Sequence, residues 1–126
     1  MSLAHGSALS ERVIGVAIEI HRQLGPGLLE SAYEECMCFE LKQAGIQFAR
    51  QVSFPVIYKG FRLNCAYRID ITVEEDALLE IKSVERILPI HEAQIITYLR
   101  LSGRKVGLLM NFNTPKLTDG LRRFVL

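Results

Sequence analysis

The chain has 126 residues, of which 49% are hydrophobic and 23% charged, and its formal net charge is +1. This length and composition are typical of one globular domain, residues 1–126, with a core that needs no disulfide or structural metal. No apolar stretch approaches the roughly 20 residues of a membrane span, and no secretory leader is recognisable, so we expect a cytoplasmic protein with no membrane partner.

Two helices are predicted in the first 45 residues. Residues 1–7 are read as a disordered leader or cloning remnant outside the fold. Apolar residues at helical spacing predict a helix over 9–24, which the sequence GPG at 25–27 ends. A second helix is predicted over 28–44, with Gly45 as its C-terminal cap. The side chains predicted to face the core from this second helix are Ala32, Cys36 and Phe39, with Met37 and Leu41 beside them.

The rest of the chain predicts a sheet. β-branched and aromatic residues over 47–73 are typical of a two-stranded hairpin, with Lys59-Gly60 as its turn. A third strand, a helix, a short apolar strand and a final amphipathic helix are predicted at 77–84, 89–101, 105–112 and 116–124. The predicted fold is therefore α/β: a mixed sheet of about four strands, three antiparallel plus one, flanked by helices.

Two carboxylates and a lysine interrupt the apolar pattern of the second and third strands. Glu80 and Lys82 share one face of their strand because side chains alternate. If a three-residue turn centred at Glu75 closes the hairpin, Asp70 lies opposite Glu80, with β-carbons about 4.5 to 5.5 Å apart. Like charges at that distance raise a carboxylate pKa, and a shared Mg²⁺ would compensate. Lys82 would then activate a water or neutralise charge on a phosphate.

A solvated sheet face that displays Asp, Glu and Lys is the alternative for this cluster, and a register slip of one residue would separate the two acids. Two helices carry comparable polar stripes. Glu30 and Tyr33 lie one turn apart, as do Gln94 and Tyr98, with His91 one turn before Gln94. Ordinary solvated or core-edge positions are the alternative for both stripes.

These residues, taken together, resemble a known family. Asp70 followed by E-x-K at 80–82, within this order of elements, resembles the PD-(D/E)XK nuclease superfamily. The sequence GLLESAY at 27–33 matches the G-x-x-E-x-x-Y signature of the GxxExxY family, and QIITY at 94–98 is similar to the Q-x-x-x-Y motif of the RecB-like branch. The resemblance implies a restriction-endonuclease-like core with a metal-dependent active site.

The resemblance also implies roles for individual residues. Asp70, Glu80 and Lys82 would be catalytic, and the metal would be held by Glu30, Asp70, Glu80 and the carbonyl of Ile81. The expected nucleic-acid contacts are Gln94, Tyr98, Tyr33 and His91.

The leading hypothesis is a Mg²⁺- or Mn²⁺-dependent nuclease acting on DNA, with RNA as the second candidate polymer. A second copy of the chain, or a helicase or repair protein, is a candidate partner. The alternative is a non-catalytic nucleic-acid-binding or protein-interaction module on the nuclease fold, which the near-neutral charge favours. A carboxylate-pair glycosidase is disfavoured because the chain has no Trp to form a sugar-binding surface.

Overall fold

The computed structural model describes the backbone of residues 2–126 and the side chains of residues 8–126. Within this part, a five-stranded mixed sheet lies between α1 and α2 on one side and α3 on the other. The elements in chain order are α1 (Ser2–Leu24), α2 (Glu30–Gln43), β1 (Phe48–Tyr58), β2 (Phe61–Val73), β3 (Ala77–Lys82), α3 (Pro89–Ser102), β4 (Val106–Asn111), a 3-10 helix (Leu117–Gly120) and β5 (Leu121–Val125). The predicted α/β class is confirmed, and the predicted leader, residues 1–7, lies outside the described side chains.

The sheet has the order β1-β2-β3-β4-β5, and only β3 and β4 are parallel neighbours. The β1–β2 turn is the predicted one. Lys59 and Gly60 have φ values of 50° and 80°, which is the left-handed pair that a two-residue hairpin turn requires. The predicted register of the second hairpin is also confirmed, because Ile71 lies opposite Leu79.

The core has two parts, one on each face of the sheet. The larger part lies under α1 and α2 and includes Ile71, Leu79 and Leu108. The smaller part lies under α3 and includes Ile69 and Leu78. The central strands β3 and β4 are buried on both faces, which explains their nearly continuous apolar sequences. No helix among the described residues is long and apolar enough to cross a bilayer.

The predicted final helix over 116–124 is wrong. A short 3-10 helix replaces its first part, and β5 pairs antiparallel with β4 to add a fifth strand. Leu121 packs on the α1 and α2 side of the sheet, whereas Phe124 packs on the α3 side. Residues three apart point to opposite faces of a strand. The three-residue spacing of Leu121 and Phe124, which is also typical of a helix, therefore places one side chain in each part of the core.

The predicted inward stripe of α2 is shifted by one position. Tyr33, Met37 and Leu41 are fully buried, whereas Phe39 is 60% exposed. The Tyr33 ring stacks on Phe112, with ring centroids 4.4 Å apart, as part of this buried stripe.

Candidate active site

The strands β2 and β3 separate where their acidic residues begin. The paired ladder ends at Ile71 and Leu79. Beyond it, the Asp70 N–H donates to Glu80 Oε2 at 2.9 Å, and the Ile81 N–H donates to Asp70 Oδ2 at 2.8 Å. Each carboxylate therefore accepts a bond that a backbone carbonyl would take in a regular ladder, and the two acids lie side by side between the strands.

The backbone is irregular at the same level. Ile69 packs against α3 and Ile71 packs on the other face of the sheet, although residues two apart on a regular strand share a face. The alternation therefore breaks at Asp70. On β1, Gln51 lies between the residues paired with Ile71 and Ile69 and has a φ of 55°, which is uncommon for a residue other than glycine. This distortion brings the Asp70 carboxylate into the gap between β2 and β3.

Burial and like charge both act on the paired acids. Burial raises the pKa of Glu80 to about 8, and the negative charge of Asp70 adds to this rise. Burial also raises the pKa of Asp70, and the charges of Glu34 and Glu30 contribute. Lys82 opposes the rise at both acids but does not cancel it. In the metal-free protein Glu80 therefore keeps its proton at neutral pH, and a bound cation would replace that proton and offset the charge of both acids.

The available ligand atoms are of the kind that Mg²⁺ prefers. The hydrogen bonds of the described residues leave Asp70 Oδ1 and Glu80 Oε1 free for another ligand. The N–H of Ile81 points toward β2, and the N–H and C=O groups of one strand residue point to the same side, so its carbonyl also faces this gap. Carboxylate and carbonyl oxygens suit a hard divalent cation.

Glu30 lies at the start of α2, near enough for its charge to contribute to the raised pKa of Asp70. Its Oε2 accepts a hydrogen bond from the Ser83 N–H at 3.3 Å, and the Ser83 hydroxyl donates to the Leu28 carbonyl at 2.6 Å. These two bonds tie the start of α2 to the end of β3. Among residues 8–126, no three His, Cys, Asp or Glu side chains are grouped closely enough to hold a metal ion. Glu30 would have to release Ser83 to become a metal ligand.

Tyr33 has a structural position. It is fully buried, and its hydroxyl donates to the Gly25 carbonyl at 2.6 Å and accepts from the Leu28 N–H at 3.1 Å. The prediction that Tyr33 contacts nucleic acid does not fit this placement, because no part of the side chain is accessible. Its hydroxyl instead fixes the loop that leads into Glu30.

Tyr98 on α3 lies within electrostatic range of the acidic pair. It is 5% exposed, and its ring centroid lies 5.5 Å from that of Tyr67 on β2. Burial raises the pKa of Tyr98 to about 12, with a further contribution from the charges of Glu80 and Asp70. Its hydroxyl therefore stays protonated at neutral pH and is close enough to sense both carboxylates.

Gln94 and His91 lie on the preceding turns of α3, and both are partly exposed. Nδ1 of His91 accepts the Leu88 N–H at 2.9 Å, which caps the start of the helix. This bond leaves Nε2 of His91 as the ring nitrogen that a ligand could reach. Gln94 lies one helical turn before Tyr98 on the partly accessible side of α3.

Two residues that support the site were not assigned this role from the sequence. The buried carboxylate of Glu34 accepts hydrogen bonds from Arg50 and Gln51, and thereby holds the irregular part of β1. The buried amide of Asn111 bonds both the N–H and the carbonyl of Val84, just beyond Lys82. The amide at the end of the otherwise apolar strand VGLLMN was the available signal for Asn111.

Comparison with known families decides the wider assignment. A family model described as the PD-(D/E)XK nuclease superfamily matches residues 7–124. The chain belongs to the PD-(D/E)XK nuclease superfamily. Membership in the superfamily implies a nuclease, which is a hydrolase with a nucleic-acid substrate, and PD-(D/E)XK nucleases generally use divalent metal ions. Searches of curated proteins and of solved structures found no match.

Proposed function

We propose that this PD-(D/E)XK protein is a Mg²⁺- or Mn²⁺-dependent nuclease that hydrolyses phosphodiester bonds of DNA. We assign it to the GxxExxY family and the RecB-like branch of the superfamily, and we place it in the cytoplasm. The observation that carries the proposal is the pair Asp70 and Glu80, which lie side by side between separated strands, each accepting a backbone N–H from the strand of the other.

The proposed ligands of the cation are Asp70, Glu80 and the Ile81 carbonyl, with Glu30 completing the set after it leaves Ser83. A divalent cation held there would supply positive charge to the scissile phosphate and to the attacking oxygen. The ligand oxygens come from β2, β3 and the start of α2. The two hydrogen bonds of Ser83 hold the end of β3 against the start of α2.

Lys82 is the proposed partner of the attacking water. It lies at the end of β3, two residues after Glu80, and forms no ion pair within 4.0 Å among the described side chains. Its ammonium group is therefore available to orient the water or to stabilise charge on the phosphate. Hydrolysis adds the water oxygen to phosphorus and breaks the bond to the leaving oxygen, which takes up a proton.

Gln94, Tyr98 and His91 are the proposed substrate contacts on α3. The amide of Gln94 and the neutral hydroxyl of Tyr98 can donate to phosphate oxygens without adding charge near the acidic pair. The imidazole Nε2 of His91 would extend this row of donors toward the start of the helix.

Manganese titration with plasmid and single-stranded DNA tests the proposal. We expect cutting that depends on Mn²⁺ or Mg²⁺ and falls by at least about a hundredfold in Lys82→Ala, since preorganised charge stabilisation is worth factors of this size. Lys42→Ala is the matched control, because it removes an exposed lysine at the far end of α2. Equal cutting by the two folded variants would contradict the assignment of Lys82.

A second candidate function is a non-catalytic nucleic-acid-binding or protein-interaction module. The bond from Ser83 to Glu30 favours it, because the helical acid is already occupied by the backbone. Calorimetry separates the two functions. A nuclease requires Mn²⁺ binding that Asp70→Asn abolishes, whereas wild-type protein that binds no Mn²⁺ at millimolar concentration would favour the module.

A further inference from the structure

The β1–β2 hairpin extends beyond the rest of the sheet as a two-stranded arm, residues 52–68. Strand β2 pairs with β3 only over residues 71–73, whereas its pairing with β1 continues to the hairpin turn. Most residues of the arm are exposed. An unsupported two-stranded hairpin is marginally stable in water, so large apolar side chains displayed on its surface need a binding partner to explain them.

The charge of the arm is of one sign. No Asp or Glu occurs between Ile46 and Ile69, whereas the arm carries Lys59, Arg62 and Arg68. None of these three cations forms an ion pair among the described side chains. A surface with three cations and no acid is complementary to a polyanion and repels a second arm of the same kind.

The arm also displays aromatic rings. Tyr58 and Phe61 flank the turn and are 62% and 66% exposed, and Tyr67 nearer the sheet is 38% exposed. Exposed aromatic rings and cations on one element are a combination by which proteins bind nucleic acid, because unpaired bases stack on the rings and phosphates meet the cations.

The rings and the arginines occupy opposite faces of the arm. Phe54 is paired with Tyr67 and Tyr58 with Phe61, and directly paired residues share a face. These four side chains define the aromatic face. Arg62 is paired with Ile57 and Arg68 with Ser53, and Ser53 and Ile57 alternate with Phe54 and Tyr58 on β1, so both arginines lie on the other, basic face.

Both faces lead to the candidate active site. On the aromatic face, Tyr67 contacts Tyr98, which senses the charges of Glu80 and Asp70. On the basic face, Arg68 precedes Asp70 by two residues. A strand lying along the aromatic face would therefore be directed from the tip of the arm toward the acidic pair.

We propose that the arm binds a nucleic acid at the junction between a double-stranded and a single-stranded segment. The unpaired strand stacks on the aromatic face and continues to the acidic pair, while the basic face holds phosphates of the other strand. This inference rests on the proposed function and narrows its substrate to branched or partly unpaired nucleic acid.

Fluorescence anisotropy with labelled forked, single-stranded and duplex DNA in EDTA tests the arm without any cutting. We expect the fork to bind most tightly, and Phe61→Ala to weaken binding to the fork and to the single strand by about tenfold. Arg62→Ala should lower the slope of log affinity against log salt by roughly 0.7 to 0.9. The matched controls are Phe39→Ala and Lys42→Ala, which remove an equally exposed ring and an exposed cation from α2. These controls should leave fork binding and its salt slope unchanged.

Two results would overturn the inference. The first is fork affinity that Phe61→Ala and Tyr58→Ala leave unchanged in folded protein. The second is self-association, seen by analytical ultracentrifugation, that both Phe61→Ala and Phe39→Ala abolish while DNA affinity stays constant. Phe39 lies with Ile20 and Leu24 in a groove between α1 and α2, and Glu19 lies at its rim. Such self-association would mean that the tip of the arm binds this groove on a second copy of the chain.

The arm and the nuclease proposal fail in different ways. Arm-dependent fork binding in a protein that cuts nothing with Mn²⁺ would support the arm and contradict the nuclease. Metal-dependent cutting of forks at equal rates by wild type and Phe61→Ala would support the nuclease and contradict the arm.

Discussion

Substitution of Glu80 by Gln should stabilise the metal-free protein at alkaline pH. Glu80 is 3% exposed, and burial next to Asp70 raises its pKa from 4.5 to about 8. Because the folded-state value lies above the unfolded one, Glu80 contributes stability that is fully present below about pH 4.5 and is lost as the pH rises through about 8. Gln keeps an oxygen for the Asp70 N–H but never ionises.

The magnitude follows from the size of the pKa shift. A rise from 4.5 to about 8 is roughly 3.5 pH units, which corresponds to on the order of 5 kcal/mol at about 1.36 kcal/mol per unit. Such a change is a large part of the free energy of unfolding of a domain, which is typically about 5 to 15 kcal/mol. The wild-type protein should lose this amount relative to Glu80→Gln between about pH 4 and pH 9.

Urea unfolding followed by circular dichroism in EDTA measures the difference at each pH. Glu75→Gln is the matched control, since it neutralises an exposed acid in the turn between β2 and β3. We expect the free energy of unfolding of this control to follow that of the wild type. Parallel pH profiles for wild type and Glu80→Gln would refute the conclusion that Glu80 is destabilised by burial beside Asp70.

Three further predictions concern the metal and the fold. Mn²⁺ affinity measured by calorimetry should rise by about tenfold per pH unit below pH 8, because the ion must displace the Glu80 proton, and a flat profile would exclude Glu80 as a ligand. Tyr33→Phe should cost about 1 to 3 kcal/mol in urea unfolding, because the Gly25 carbonyl and the Leu28 N–H lose their shared partner. Gly120→Ala should cost about 1 to 3 kcal/mol, since the added methyl would lie 2.3 Å from the Asn111 carbonyl oxygen. The control Gly15→Ala, which places its methyl in open space on α1, should be neutral or stabilising. Equal melting temperatures for the two variants would contradict this packing.

The sequence predicted the elements whose signals are local. Lys59-Gly60 fixes its turn through φ values that few residues adopt, and the three-residue turn at Glu75 then sets the register of β2 on β3. This register brought Asp70 and Glu80 to the same level, although the sequence did not predict that the strands would separate there and that each carboxylate would bond the other strand's backbone.

The predictions from the sequence were wrong or incomplete where contacts distant in the sequence decide between two structures that the local pattern allows. Leu117, Leu121 and Phe124 have helical spacing, but the buried edge of β4 needs a paired strand, and this requirement overrides the local pattern. Tyr33 looked like a polar surface residue because its two hydroxyl partners, in the loop at 25–28, are not readable from spacing. The role of Asn111 likewise depends on Val84, which is 27 residues away in the sequence.

The Mn²⁺ anomalous signal in a soaked crystal shows directly whether Asp70 and Glu80 hold a cation. We expect one strong peak between β2 and β3, at about 2.0 to 2.2 Å from oxygens of both carboxylates. A peak elsewhere on the protein, with both carboxylates still bound only to the backbone of the opposite strand, would contradict it.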